Sequence, residues 1–334
     1  MPRFIAGLVP KEITKELGIS PSFRGTQIFR WIHSGVTEFA GMTNISRNER
    51  ERLSEQAAVF SSGIEERFDD IDSTVKLRLR LHDGALTECV LLTDGEHRKT
   101  ACISSQAGCP VACLFCKTGR LGFTRNLESF EIVEQLLHLK TIENSISHIV
   151  FMGMGEPLLN MEQVRKAIEV LHHRDGADIG LRKITVSTSG IPDQIRDFSD
   201  RGPRVNLAVS LISARGEIRE SLIPGFHAAE MQSLKDSIVY YQKSSQRRIT
   251  LEMVLLKGIN DDRREVEALS SFIRDLNVLI NVIPWNPVKE LGFNEPEQAV
   301  VKRFMDALQK RNIRAALRYR KGRGSSAACG QLGC

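Results

Sequence analysis

The chain has 334 residues, with 46 Lys and Arg against 41 Asp and Glu, a formal net charge of +5, and 41% hydrophobic and 26% charged residues. This balance fits a folded chain and excludes an intrinsically disordered one, and no run approaches the roughly 18 apolar residues of a membrane span. The opening MPRFIAGLVPKEITKELG takes on charge too early for a secretory leader, so a cytoplasmic protein with no membrane partner is expected. Seven cysteines, an odd number, argue against a pure disulfide framework and for reduced, reactive or metal-bound thiols.

Residues 1–58 read as a small helical module. RGTQIFRWIH (24–33) sets Ile28, Trp31 and Ile32 on one helical face, and residues 43–56 read as a capped, charged helix. Residues 59–97 read as an extension containing a β-hairpin at 73–92. There Val75, Leu77, Leu79 and Leu81 alternate with Lys76, Arg78 and Arg80, and His82-Asp83-Gly84 makes the turn. The second strand carries one carboxylate, Glu88, among apolar neighbours; buried, it is a candidate base.

From residue 98 to 324, strand and helix patterns alternate. Strands are expected at 100–105, 147–152, 182–187, 204–211, 248–256, 278–283 and 313–319. Helices are expected at 128–142, 161–173, 191–200, 231–243, 262–276 and 296–311. Repeated βα units predict an α/β fold with a parallel sheet, here a partial (β/α)6 barrel whose site lies at the carboxyl ends of its strands. Residues 325–334, rich in Gly and Ser, read as a mobile tail.

The chemistry concentrates in Cys109-Pro-Val-Ala-Cys113-Leu-Phe-Cys116, a C-x3-C-x2-C run. Three thiolates on one short loop suit three irons of a 4Fe-4S cluster and leave the fourth open to a small molecule. A structural zinc site wants four ligands, and no His follows at finger spacing. The spacing looks like that of the radical S-adenosylmethionine (AdoMet) superfamily. FMGMGEP (151–157) closes the second barrel strand, with glycines for close ligand approach and Glu156 to accept from an ammonium. Pro157 stands where a dinucleotide-binding loop needs its third glycine. Ser187, Ser210 and Asn286 fall at the same predicted end of the sheet. Cys102 lies on the first barrel strand and Cys329 in the tail; alone, each reads as packing or an incidental thiol.

Six stretches change that reading: FRGTQIFRWI, ISSQAGCPVACLFCKTGRLGFTRNL, FMGMGEPLLN, ITVSTSG, INVIPWNP and AACGQL. In this order, from about residue 20 to the end, the chain resembles the RlmN/Cfr family of radical AdoMet RNA adenosine methyltransferases. The resemblance implies two AdoMet per turnover. One methylates Cys329; the second, bound at the cluster of Cys109, Cys113 and Cys116, yields a 5′-deoxyadenosyl radical that activates the S-methyl group. The methylene adds to adenine, and Cys102 resolves the protein–RNA adduct, leaving a Cys102–Cys329 disulfide. Glu88 corresponds to the family's proton acceptor, with a connection to Cys102 one residue longer than the family pattern.

AdoMet contacts carry over to Gly155, Glu156, Ser187, Ser210, Leu211, Ile212 and Asn286. Ile212 stands where relatives have His, which removes that side chain's contact. Cys89 and the extra terminal thiol Cys334 are expected to have no role.

The implied partners are 23S rRNA and tRNA, and a reductant such as flavodoxin, with the chain a monomer. A flipped base needs a duplex or loop held by phosphate contacts. The candidate basic set is Arg24, Arg30, Lys76, Arg78 and Arg80, then Lys117, Arg120 and Arg125, then Arg318, Arg320, Lys321 and Arg323. Carbon 2 of adenine is favoured. Methylation at carbon 8, as in Cfr-like members conferring antibiotic resistance, and a non-catalytic iron–sulfur RNA-binding protein remain the alternatives.

Overall fold

A computed structural model describes residues 3–94, 98–224, 231–318 and 321–333; Arg320 and Cys334 lie outside them. The chain opens with a two-residue strand β1 (Arg3–Phe4), then helices α1 (Pro10–Glu16), α2 (Phe23–His33) and α3 (Arg47–Gln56), and a strand β2 (Ala57–Ala58) parallel to β1. The Ser46 side chain caps α3. On α2 the buried face is Ile28, Phe29 and Ile32, while Trp31, expected among them, is half-buried and donates to Asn44 Oδ1 at 2.6 Å. Phe29 stacks edge-on against His173 at 4.9 Å and contacts His33 at 4.3 Å, so apolar packing fixes the helical region to the barrel.

A three-stranded antiparallel meander follows: β3 (Gly63–Asp69), β4 (Val75–Arg80) and β5 (Leu86–Thr93). The hairpin is where its alternation predicts; β3 extends it by a strand too charged to stand out in the sequence. After β6 (Lys99–Cys102) come β7 (Gln106–Gly108), α4 (Lys117–Leu121), β8 (Phe123–Asn126) and α5 (Ser129–Lys140). Then follow β9 (His148–Phe151), α6 (Met161–His172), β10 (Ile184–Thr188), α7 (Pro192–Arg201), β11 (Asn206–Ser210), α8 (Gly216–Leu222) and α9 (Met231–Ser245). The chain closes with β12 (Ile249–Leu255), α10 (Arg263–Phe272), β13 (Val278–Pro284), α11 (Gln298–Gln309) and β14 (Ala315–Leu317).

Ten of these strands form one sheet in the order β14-β13-β12-β11-β10-β9-β6-β5-β4-β3. From β6 through β9 to β14 the pairing is parallel, six βα units and a short closing strand, which is the expected barrel. The meander joins antiparallel through β5 and β6, in register Val90↔Cys102 to Thr93↔Lys99. Strand residues Ile149, Val186, Leu207, Leu251 and Ile280 are fully or almost fully buried, in one core with Ile132, Leu136, Ile168, Ile195 and Leu269 of the helices. No helix among the described residues is long and apolar enough to cross a membrane.

In the structure the backbone of the tail finds partners on the rest of the chain. Gly322 N donates to Asp72 Oδ2, Ser325 N to Asp70 Oδ2 and Gly333 N to Glu88 Oε2, each at 2.8 Å. Thr118 Oγ1 donates to Leu332 O at 2.6 Å, and Gln331 Nε2 to Pro287 O at 2.8 Å. The segment is docked in the barrel mouth, held by polar contacts and by little apolar surface.

Candidate active site

The cysteine loop is tied down at several points. The β7–β8 hairpin joins its ends, with Cys109 N donating to Gly122 O at 2.8 Å. Trp285 Nε1 donates to Phe115 O at 2.9 Å, and Leu114 N to Leu222 O at 3.0 Å. Cys109, Cys113 and Cys116 line one cavity and pack on an apolar cluster with Val111, Phe115 and Trp285. Burial pushes the Cys109 thiol up to about 12 and Cys113 well above its ordinary value, and in each case the other cysteines' charge adds to the effect. Thiols raised in this way, as Cys109 and Cys113 are, are poor as free thiolates. They suit a group that brings its own positive charge and binds sulfur, as an iron–sulfur cluster does. Among the described residues no group of His, Cys, Asp and Glu is arranged to hold a single metal ion.

The opposite wall is made of strand ends. Gly155 has φ +101°, and a Cβ there would lie 2.5 Å from Gln106 Cβ, so only glycine fits. Glu156, 3% exposed, accepts from Ser189 N at 2.6 Å and Leu158 N at 3.2 Å. Burial pushes its carboxyl up, and these hydrogen bonds oppose the shift. Ser187, Ser210, Ile212 and Asn286 line the same cavity; Leu211 is buried behind it. Asn286 Nδ2 donates to Cys329 O at 3.0 Å, while its buried Oδ1 has no partner. Ile212 has φ +62°, unusual for a β-branched residue. Its N–H donates to Glu252 O at 3.1 Å, and its carbonyl accepts from Asn260 Nδ2 at 2.7 Å.

Cys329 also lines this cavity; the residue is exposed overall while its sulfur is enclosed by the protein. Burial raises its thiol to about 11; Arg318 opposes the shift, and Cys116 and Glu252 add to it. Cys102 packs with Val90, Met154, Ala327 and Leu332. Burial and then the charge of Cys329 raise its thiol to about 12. Cys329 is thus within electrostatic reach of Cys102 and of Cys116. Cys89 is buried near Gln135 O.

Glu88 is 0% exposed and does not line the cavity. It pairs with Lys76 Nζ at 3.2 Å and with Arg78 Nε at 3.7 Å, and accepts Gly333 N. This corrects the place given to Lys76 in the basic surface: it is 4% exposed and donates to Ser326 O at 3.4 Å. Alternation sets Lys76 on the wet face, but the docked tail covers that face.

Others of the set are paired: the exposed Arg30 with Asp175 at 2.6 Å and Arg323 with Glu295 at 2.9 Å, and the half-buried Arg78 with Glu66 at 2.7 Å and Arg125 with Asp83 at 2.6 Å. Arg80 pairs with Glu65. Arg120 is exposed, and Arg24, Lys117 and Lys321 are half-buried. Arg318 lines the cavity, 4.0 Å from Glu252.

Three site residues carried no sequence signal. Glu252 is buried in the cavity wall, its Oε2 without a hydrogen-bond partner. Asn260 and Arg219 hold the turn after β11 through main-chain carbonyls. Only three-dimensional adjacency reveals them.

Comparisons with known proteins agree with this geometry. The Radical SAM superfamily model matches residues 103–269, and the ribosomal RNA large subunit methyltransferase N-terminal domain model matches residues 11–59. The chain is 43% identical over 329 residues to a probable dual-specificity RNA methyltransferase RlmN of Treponema pallidum (strain Nichols), covering 98% of this chain and 97% of the relative. It is 45% identical over 329 residues to that of Treponema denticola, covering 98% and 95%. The crystal structure of a radical SAM methyltransferase from Sphaerobacter thermophilus superimposes with a TM-score of 0.94 at 34% identity, covering 99% of both chains.

Proposed function

The chain belongs to the RlmN family of radical AdoMet RNA methyltransferases, and from that membership we propose that it methylates carbon 2 of an adenosine in 23S rRNA and in tRNA, through a methyl group carried on Cys329. The relatives' designation as dual-specificity enzymes supports two classes of RNA substrate. The observation that carries the reading is the placement of Cys329, lining the cavity of the three loop cysteines and within charge range of Cys102.

Cys109, Cys113 and Cys116 would hold the 4Fe-4S cluster, which would supply the electron for reductive cleavage of AdoMet. Glu156, Ser187, Ser210 and the orphaned Oδ1 of Asn286 orient AdoMet against it, with Gly155 leaving room for the ligand and Ile212 forming an apolar wall. Leu211 acts only through its backbone, which shapes the turn. Two AdoMet are used per product, one as methyl donor to Cys329 sulfur by direct displacement.

The transferred carbon stays bonded to Cys329 while it joins the base. A proton then leaves the base carbon, with Glu88 as acceptor once the tail has moved off it. The Cys102 thiolate attacks Cys329 sulfur, and the S–C bond pair stays with the product carbon. That carbon takes up a proton to become the methyl group, and the unpaired electron left on the base returns to the electron-transfer partner. The remaining Cys102–Cys329 disulfide is reduced by an external dithiol.

Residues 1–58 and the 59–97 extension bear on RNA, with the exposed Arg120 and the cavity-lining Arg318 nearest the chemistry. Residues 98–324 form the catalytic barrel and 325–334 the carrier tail. A flavodoxin-like donor supplies electrons in the cytoplasm, and the enzyme acts as a monomer. The test is digestion and mass spectrometry of RNA from cells with and without the gene. 2-Methyladenosine lost with the gene is expected; loss of 8-methyladenosine instead overturns the carbon assignment, and no change overturns the activity.

A further inference from the structure

The turns that face the cavity converge on one side chain with no part in the reaction above. Arg219 of α8 is 2% exposed and heads the fully buried side chains by size. Its guanidinium donates to three carbonyls at strand ends: Ser210 O at 2.8 Å, Leu211 O at 2.6 Å, and Ser189 O. Gly190 makes room for it: a Cβ there would lie 2.9 Å from a guanidinium nitrogen, on a backbone with φ +92°. The carboxyl end of α8 is tied to the cysteine loop by the Leu114–Leu222 hydrogen bond.

Its hydrogen bonds satisfy the guanidinium's donors in part, Nε being left without a partner, but not its charge. Burial lowers it to about 10, and the charge acting the other way is that of Cys113. A buried cation without a carboxylate is costly, and Cys113 is one of the three cluster cysteines. The same guanidinium restrains the turn that forces Ile212 to a positive φ, a conformation that persists only where its surroundings hold it.

We infer that Arg219 is a positioning residue with two duties: it holds the turns after β10 and β11 in their AdoMet-binding shape, and its uncompensated charge makes the cluster at Cys113 easier to reduce. This rests on the assignment of Cys109, Cys113 and Cys116 as cluster ligands. A positive charge in a dry environment favours the form carrying the extra electron, so its removal moves the midpoint potential negative.

The test compares wild type, Arg219→Gln and Arg219→Lys after anaerobic reconstitution. Iron and sulfide content, the midpoint potential by dithionite titration followed by electron paramagnetic resonance, and AdoMet affinity by equilibrium dialysis are measured. Arg219→Gln is expected to shift the potential negative, and Arg219→Lys to stay near wild type. AdoMet affinity falls about tenfold in both, because neither rebuilds a planar fork onto three carbonyls.

A wild-type potential in fully loaded Arg219→Gln overturns the electrostatic duty. Wild-type affinity in Arg219→Lys overturns the positioning duty. If Arg219→Gln does not load, Gly190→Ala displaces the guanidinium and keeps its charge; unchanged AdoMet affinity there overturns the inference. A wild-type chain that takes up no iron overturns the ligand assignment instead.

Discussion

The two ends of the chain are joined to the barrel by different means. The helical region docks chiefly through apolar contact, the buried ring of Phe29 lying edge-on against His173, beside the Arg30–Asp175 pair. The tail docks through backbone N–H groups on Asp70, Asp72 and Glu88, with Ala327, Ala328 and Leu332 as its buried apolar residues. Apolar contact is lost only by exposing surface to water. A hydrogen bond on a carboxylate is exchanged for water at a net cost of about 1.5 to 3 kcal/mol. One end is held by contacts that water cannot replace, the other by contacts that it can, which suits the carrier role proposed for Cys329.

The largest effect expected is from Cys329→Ala: methylated product and covalent adduct both vanish, as read by mass spectrometry of digested RNA. Product at the wild-type yield would show that the tail's chemistry is dispensable. Cys102→Ala comes next and stalls the cycle one step later, so that protein cross-linked to RNA accumulates on denaturing gels. Absence of that species would remove Cys102 from the relay.

At the other end, Phe29→Ala should cost about 3 to 5 kcal/mol of stability in urea unfolding, as emptied core sites do. A loss below about 1 kcal/mol, on the same scale, would mean that the helical region is not apolar-locked.

His33 adds a pH signature. Burial, then the charges of Lys140 and His173, lower it from 6.5 to about 3. The unfolded chain binds a proton there that the folded chain refuses, so this contribution is complete above about pH 6.5 and declines as pH falls below it. His33→Gln should flatten the acid side of the stability curve by about 1.4 kcal/mol per pH unit relative to wild type.

The smallest effect is from Asp70→Asn. It weakens the acceptor of Ser325 N–H by about 1 kcal/mol, raising the alkylation rate of Cys329 roughly fivefold with the unfolding midpoint unchanged. An unaltered rate would mean that the tail does not exchange through this contact.

Much of the barrel was legible because its signals are local. Alternating βα patterns gave the parallel sheet and the partial barrel, and three cysteines on eight residues gave the loop. The Gly155-Glu156-Pro157 end of β9 needed only the glycine's freedom and the carboxylate's charge to be read. What escaped depends on contacts distant in sequence. Lys76 reads as solvent-facing from alternation, yet residues 250 positions away cover it. Arg219 sits on a seven-residue helix of no distinctive pattern, and its three carbonyls belong to two other segments. Glu252 looks like any polar residue in a strand until β11 and β13 place Ser210 and Asn281 opposite it. The docked tail escaped because small flexible residues advertise freedom, while the carboxylates that receive them lie on the meander.

The antiparallel β5–β6 ladder runs without interruption from Val90↔Cys102 to Thr93↔Lys99, and Asp94 N donates to Arg98 O at 3.1 Å beyond it. A slip of one residue in that ladder would turn Glu88 to the opposite face. The spacing of carboxylate and thiol is therefore set by the register of the ladder, so a single substitution that shifts the pairing would part Glu88 from Cys102 while leaving both residues in place in the sequence.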